Sequence, residues 1–458
     1  MFDIQTLFTL FVFIATVVFI IWRPFGISES VPTAVGATLF FITGIVPIID
    51  IYDIVTIVSG AAITILSTIV MSIVMESVGF FRWAAFNLAN KAKGSGIALF
   101  WYINLLCFLM TLFFNNDGSI LITTPIIIQT LTILNLKTNQ KIPYLLSGVL
   151  TATGSSAPIG VSNLANLIAL KIVGLDLNQY VEMMFVPSMI GIAAMLFLLF
   201  FYFKKSIPQR IPILPKEFVN QMTAYYANEP HRKTYHPLAI NPAYQQAIDW
   251  KMFRICILIV VVIRASFFIL TPFGIATEWP AIVGAILLIM VRWYRKKIGP
   301  YDVLKRTPWH ILVFAFSMYV IVYGLHNAGM TSFIIETFKE PIASNHFNAI
   351  LIPGLLLTVM SNICNNLPSV MIGTISITEM NLDPYTVQVA YLANIIGSDI
   401  GALMLPIGTL ASLIWMFILR ENNIHITFGE YLKAALVVVP VGLLISLLSL
   451  YLWTEWLF

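Results

Sequence analysis

The sequence predicts an all-α polytopic membrane protein made of two inverted repeats of five crossings, each with a re-entrant hairpin and a discontinuous helix. Three observations predict it. Of 458 residues, 59% are hydrophobic and 10% charged, with a mean hydropathy of +0.90, whereas a soluble domain is about half apolar and a quarter charged. Several apolar runs are too long for one crossing and are interrupted midway by Asn, Gly, Ser and Pro. Motifs of the first half also return in the second at a nearly constant offset.

At roughly 20 apolar residues per spanning helix, the chain holds about ten crossings plus loops. Runs near 5–22, 32–49 and 54–78 read as plain crossings. The first lacks a basic start and a small-residue cleavage pattern, so it reads as a retained helix. The run 97–134 carries Asn115, Asn116, Asp117 and Gly118 near its middle, which predicts a hairpin that enters the membrane and turns back. The run 142–174 is broken midway and reads as a discontinuous helix; 184–203 closes a first repeat over 1–203. A second repeat over 251–458 follows the same plan: plain crossings at 252–270, 280–291 and 309–328, a hairpin at 349–378 around Asn362, Asn365, Asn366 and Pro368, a broken helix at 386–419, and a last crossing at 430–454. Segments 80–96 and 329–348 read as interfacial helices or connectors. The polar stretch 204–250, rich in Pro and Tyr and without periodicity, reads as a linker.

The duplication rests on specific matches. Pro24-Phe25-Gly26-Ile27, Pro32 and Val35-Gly36-Ala37 return 248 positions later as Pro272-Phe273-Gly274-Ile275, Pro280 and Val283-Gly284-Ala285. Pro158-Ile159-Gly160 returns as Pro406-Ile407-Gly408 at the same offset, and Asn115-Asn116 as Asn365-Asn366 at 250. An odd number of crossings per copy inverts one copy relative to the other, which is the plan of secondary transporters.

Charge distribution gives an independent test. With the N-terminus outside, 22 of the 25 Lys and Arg residues fall in cytoplasmic segments, the linker included, and only Lys339 in an outer loop. Lys171 and Arg264 lie within segments. The net charge of +4 is therefore a matter of topology, not of nucleic-acid affinity. Three cysteines in apolar runs predict no disulfide scaffold. Neither a phosphate loop nor a nucleophile elbow, metal cluster or juxtaposed catalytic pair is present, so the chain is expected not to be an enzyme and to need no cofactor beyond a coupling ion.

In hydrocarbon, irregular backbone is tolerated only where protein or a wet cavity satisfies it. The two tips and two breaks are therefore expected to converge on a polar chamber. Its wall would be Asn115, Asn116 and Asp117 on the first tip; Asn365 and Asn366 on the second; Gly154, Ser155, Ser156, Ser162 and Asn163 at one break; Gly397, Ser398, Asp399 and Thr409 at the other. The Asn, Ser and Thr residues are the candidate substrate ligands. Asp117 and Asp399 are the candidate proton carriers, because a carboxylate at membrane depth is costly and usually functional.

These residues also resemble a known family. Asn116-Asp-Gly-Ser119 with Thr124-Pro-Ile126, Val161-Ser-Asn-Leu164, Pro308-Trp-His-Ile311, Tyr319-Val-Ile-Val-Tyr-Gly-Leu-His-Asn-Ala-Gly329, Asn365-Asn-Leu-Pro368, Tyr391-Leu-Ala-Asn-Ile-Ile-Gly-Ser-Asp399 and Pro406-Ile-Gly-Thr-Leu-Ala411 together resemble the arsenite/antimonite efflux permeases (ArsB) of the ion transporter superfamily, over nearly the whole chain. The resemblance implies a permease of the plasma (inner) membrane that exports arsenite or antimonite in exchange for protons. It is compatible with a separate ATPase subunit and with a homodimer. Bacterial arsenite permeases carry an Asp in the first break, where this chain has Thr153-Gly-Ser155, and a Pro-Lys pair where it has Ala402-Leu403. Both differences remove charge and leave Asp117 and Asp399 as carriers. The competing expectations are sodium/proton exchange, or sodium-coupled anion transport, by the same architecture.

Overall fold

The computed structural model describes residues 4–213 and 249–457, so most of the 204–250 linker lies outside the described residues. The first half runs α1 (Ile4–Trp22), α2 (Ser30–Ile42), α3 (Ile48–Val78), α4 (Phe80–Lys91), α5 (Gly96–Phe113), α6 (Asn116–Ile133), α7 (Thr138–Gly154), α8 (Leu164–Val173) and α9 (Leu177–Phe203). The second half repeats it as α10 (Trp250–Leu270), α11 (Glu278–Lys296), a short α12 (Tyr301–Arg306), α13 (His310–Asn327), α14 (Met330–Ala343), α15 (His346–Cys364), α16 (Asn366–Glu379), α17 (Pro384–Asp399), α18 (Leu410–Glu421) and α19 (Phe428–Leu457). Even the 3-10 turns correspond: Pro24–Gly26 follows α1 as Thr271–Phe273 follows α10, and Gly160–Ser162 precedes α8 as Gly401–Met404 precedes α18. The expected fold class is the observed one: all-α, with five crossings, a hairpin and a broken helix in each copy. Among the described residues, nine helical stretches are long and apolar enough to cross a membrane.

Local chemistry sets the element ends. Gly79, at φ 91, closes α3 and releases α4 in a new direction. The hairpins turn on asparagines: Asn115 separates α5 from α6 and Asn365 separates α15 from α16. Contacts near helix ends join residues that the crossing count sends to the same side. Asn327 Nδ2 donates to Asp50 Oδ2 at 3.0 Å and His326 meets Glu379 at 3.1 Å at one end. At the other, Arg306 pairs with Glu76 at 2.8 Å and Arg295 with Asp249 at 2.8 Å.

The two copies interlock at the hairpins. The return arm α6 of the first hairpin packs against α7 of its own half and α18 of the other; the return arm α16 packs against α17 and α8. Each hairpin thus completes its core with the second segment of the opposite copy's broken helix. This exchange is what brings both tips and both breaks to one place.

Close helix approach depends on small residues, as is general in membranes. A Cβ on Gly397 of α17 would stand 2.3 Å from the backbone carbonyl of Gly354 in α15. No rotamer change relieves that contact. Gly397→Ala is expected to cost about 1–3 kcal/mol, read as a melting midpoint several degrees lower for the detergent-purified protein. Gly429→Ala, where a Cβ meets nothing within 4 Å, is expected to leave the midpoint unchanged.

Candidate functional site

The first tip is built by capping. Asn115 accepts a hydrogen bond from the Gly118 amide at 2.6 Å, serving as N-cap of α6, and its Nδ2 donates to Thr68 Oγ1 of α3 at 3.1 Å. Asn116 Oδ1 accepts from the Asp117 amide at 2.8 Å. On the arriving arm, the last carbonyls of α5 at Phe113 and Phe114 accept hydrogen bonds from the Arg264 guanidinium of α10. A buried cation at a helix C-terminus compensates the orphan carbonyls and the negative end of the helix dipole. Arg264 is therefore part of the architecture of the tip.

The second tip is stitched to its own break through the backbone. Asn366 N–H donates to Gly408 O at 2.9 Å, and Asn365 Nδ2 to Ile407 O at 3.3 Å. Asn362 Nδ2 donates to Gly401 O at 2.8 Å while its Oδ1 accepts from Leu405 N at 2.7 Å. Asn365 itself takes φ 78 and ψ 154, outside the left-handed helical region that asparagine tolerates and in one that glycine favours. In this way Gly401 O, Leu405 N, Ile407 O and Gly408 O of the second break find protein partners.

Asp399, at the end of α17, is fully buried. Its Oδ2 accepts from Ser156 Oγ at 2.7 Å and from Asn166 Nδ2 at 2.6 Å, and its Oδ1 from Asn163 Nδ2 at 2.8 Å. All three donors belong to the first half of the chain. Asn163 meanwhile caps α8 by accepting from Ala165 N at 3.0 Å, so one amide ties the helix start to the carboxylate. Tyr391 donates to Asn166 O at 3.2 Å and fixes the same segment from α17.

Beside this cluster lies a cavity of about 20 Å³ lined by Asn116, Asp117, Asn163, Asn365 and Asn366, with Leu164, Ile311, Phe314 and Leu410 among its apolar walls. That is room for about one water. Asn116, Leu164, Asn366 and Leu410 are the first residues of α6, α8, α16 and α18. Four helix N-termini therefore face one small volume, and their positive dipole ends favour hydrogen-bond-accepting oxygens there; α16 offers the dipole alone, because its first amides are taken by Gly408 O and Asn365 Oδ1 and its third residue is Pro368. Asp117 lies within electrostatic reach of Asp399 and of Glu29.

The sequence-predicted residues divide into four groups. Asn116, Asp117, Asn163, Asn365 and Asn366 meet at the cavity, and Ser156 and Asp399 join them through Asn163. Asn115 stands behind the tip as its cap. Ser155, Ser398 and Thr409 spend their hydroxyls locally, on Thr151 O, Ile395 O and the first turn of α18, whereas Ser162 Oγ is buried without a partner. Sequence reasoning missed Asn166, in the first turn of α8 three residues after the cap Asn163, and it missed Thr68.

The profile described as arsenical pump membrane protein matches residues 8–454. The chain is 47% identical over 447 residues to a putative arsenical pump membrane protein of Bacillus subtilis, covering 97% of this chain and 99% of that one. It is 32% identical to an arsenical pump membrane protein of Escherichia coli, over 96% and 97% of the two chains. Among solved structures, the YdaH transporter of Alcanivorax borkumensis shares the fold with a TM-score of 0.54 at 11% identity, over 88% of this chain and 87% of that one.

The Asp399 cluster makes a stability prediction. Asn166→Leu removes a donor and leaves a buried carboxylate oxygen short of a partner, which costs about 1–3 kcal/mol. A lower unfolding midpoint is the expected outcome, with a smaller loss for Ser155→Ala, whose hydroxyl bonds only within its own helix.

Proposed function

This chain belongs to the arsenical pump membrane protein family of multi-pass membrane transporters, and from that membership we propose that it exports arsenite or antimonite in exchange for protons by alternating access. The observation that carries this reading is the buried Asp399, held by Ser156, Asn163 and Asn166 next to a cavity that Asp117 lines. Trivalent arsenic in neutral water is chiefly an uncharged trihydroxide. Such a solute needs both donors and acceptors, and amide side chains supply both. In this reading Asn116, Asn163, Asn365 and Asn366 do so, with the N-termini of α6, α8 and α18 as further donors. Asp117 and Asp399 are the coupling carboxylates, each able to exchange a proton when the cavity opens to one side.

The orientation follows the positive-inside count, with the N-terminus outside and the central loop in the cytoplasm. Exchange of one neutral solute for one proton moves one charge, for which the membrane potential supplies about 2.3 kcal/mol per 100 mV. At about 1.4 kcal/mol per tenfold, that sustains roughly a 50-fold gradient.

In everted vesicles, Asp399→Asn is expected to reduce proton-driven arsenite accumulation at least tenfold. Undiminished coupling in Asp117→Asn, Asp399→Asn and the double variant would overturn the assignment of the carriers. Transport that follows a sodium gradient and ignores pH would favour sodium coupling instead.

A further inference from the structure

A second polar cluster stands next to the cavity, at the ends of α2 and α13. Glu29 immediately precedes α2, and its side chain is only 6% exposed. Its Oε2 accepts from Arg23 Nη2 at 3.0 Å, and its Oε1 lies 3.4 Å from His310 Nε2. His310 opens α13 and is 46% exposed. Ile311 and Phe314, one and four residues further on, line the same cavity as Asp117; residues four apart share a helix face, so His310 continues that wall toward the surface. The first turns of α2 and α13 are held side by side by close contacts above them, where a Cβ on Gly36 would stand 2.9 Å from Ile321 and one on Gly324 2.3 Å from Phe40.

We infer that Glu29 and His310 form a proton port joining the Asp117-lined cavity to the face of the protein that carries Arg23, the cytoplasmic face in the proposed orientation. This rests on the antiport reading and adds a route to it. In the release step Asp117 gives its proton to the Glu29 carboxylate; Glu29 passes it to His310 Nε2, the ring nitrogen that faces it, when the ring carries its hydrogen on Nδ1, and the Nδ1 hydrogen then leaves to water, returning the ring to its neutral form with the hydrogen on Nε2. One O–H bond breaks as the next bond to hydrogen forms, and Asp117 returns to the carboxylate with no other species consumed. Burial alone would push the Glu29 carboxyl up, but the hydrogen bond from His310 and the charge of Arg23 outweigh it and hold the group below its ordinary value. Glu29 therefore rests ionised, ready to accept a proton and unable to keep it. The charged groups facing it are Arg23, His310 and Asp117.

The duplication sharpens the inference. At the 248 offset, Arg23, Glu29 and His310 correspond to Thr271, Thr277 and Ala62, and at 250 Asp117 corresponds to Leu367. The cluster thus exists once, on one face, whereas a cap required by the repeat architecture would be expected in both copies.

The test uses the full chain in proteoliposomes with arsenite as the probe. Glu29→Gln is expected to slow pH-gradient-driven arsenite accumulation at least tenfold, with a far smaller effect on arsenite-for-arsenite exchange at equal pH. Glu29→Asp should restore much of the coupled rate, and His310→Gln should lower it at least threefold and flatten its pH dependence. Wild-type coupling in both Glu29→Gln and His310→Gln would overturn the port, as would equal loss of coupling and exchange in Glu29→Gln together with a lowered melting midpoint. Should Glu29→Gln not fold, the exposed His310→Gln decides alone. If the wild-type protein shows no pH-driven transport, the antiport reading itself has failed, an outcome distinct from the loss of the port.

Discussion

The architecture depends on one buried carboxylate and the donors that make its burial tolerable. An ionised group without partners in a low-dielectric interior is prohibitively costly, and Asp399 is fully buried. Its three hydrogen bonds come from residues more than 230 positions away in the chain. Asn163 caps α8 and Asn166 lies in its first turn; α8 packs with α16 and α17, so two of the three bonds hold together a unit drawn from both halves of the sequence. Ser156 follows α7 and reaches Asp399 from the other hairpin unit. The same carboxylate thus glues one unit internally and touches the seam with the other.

Around that anchor, the interrupted helices explain themselves. A continuous helix would satisfy its own backbone and leave nothing for a solute. Broken at the middle, α8 and α18 expose the starts of new helices, and the first hairpin adds that of α6. Side-chain caps from Asn115, Asn163, Asn365 and Thr409 occupy some of the first-turn amides of these helices and of α16. The cavity beside them is lined by amide side chains and one carboxylate. Such a lining recognises hydroxyl oxygens through hydrogen bonds and holds no fixed cation against a charged ligand, which suits a neutral polyhydroxide.

How much of this was readable in the sequence follows from the range of each interaction. Crossings, hairpins and breaks were legible because run length and midway Asn, Gly and Pro residues are local properties, and the repeats because the offset is nearly constant. The convergence of Asn116, Asp117, Asn163, Asn365 and Asn366 followed from the repeat symmetry. By contrast, the interlocking of each hairpin with the opposite broken helix depends on packing that no local pattern encodes. Arg264 could not be placed, because its acceptors are backbone carbonyls some 150 residues away and any helix end offers the same groups. Ser155 and Ser398 illustrate the opposite limit: a helical serine can bond back to a preceding carbonyl or point into a cavity, and composition alone does not choose.

The size of the cavity constrains how transport proceeds. About 20 Å³ accommodates one water, not a central atom with three hydroxyls, so on the proposed function loading would require the two hairpin units to separate. The seam between them decides where. Within the unit of α8, α16 and α17, separation would strip Asp399 of two amide donors at once and also break Tyr391 from Asn166 O. Between the units, the same movement costs Asp399 only the Ser156 hydroxyl, a bond to a charged group worth about 1.5–3 kcal/mol. The lower-cost opening therefore keeps Asn163 and Asn166 on the carboxylate and releases Ser156. That leaves one oxygen of a buried charge short of a donor at the moment the cavity widens, and either a proton or a solute hydroxyl can take the vacated position.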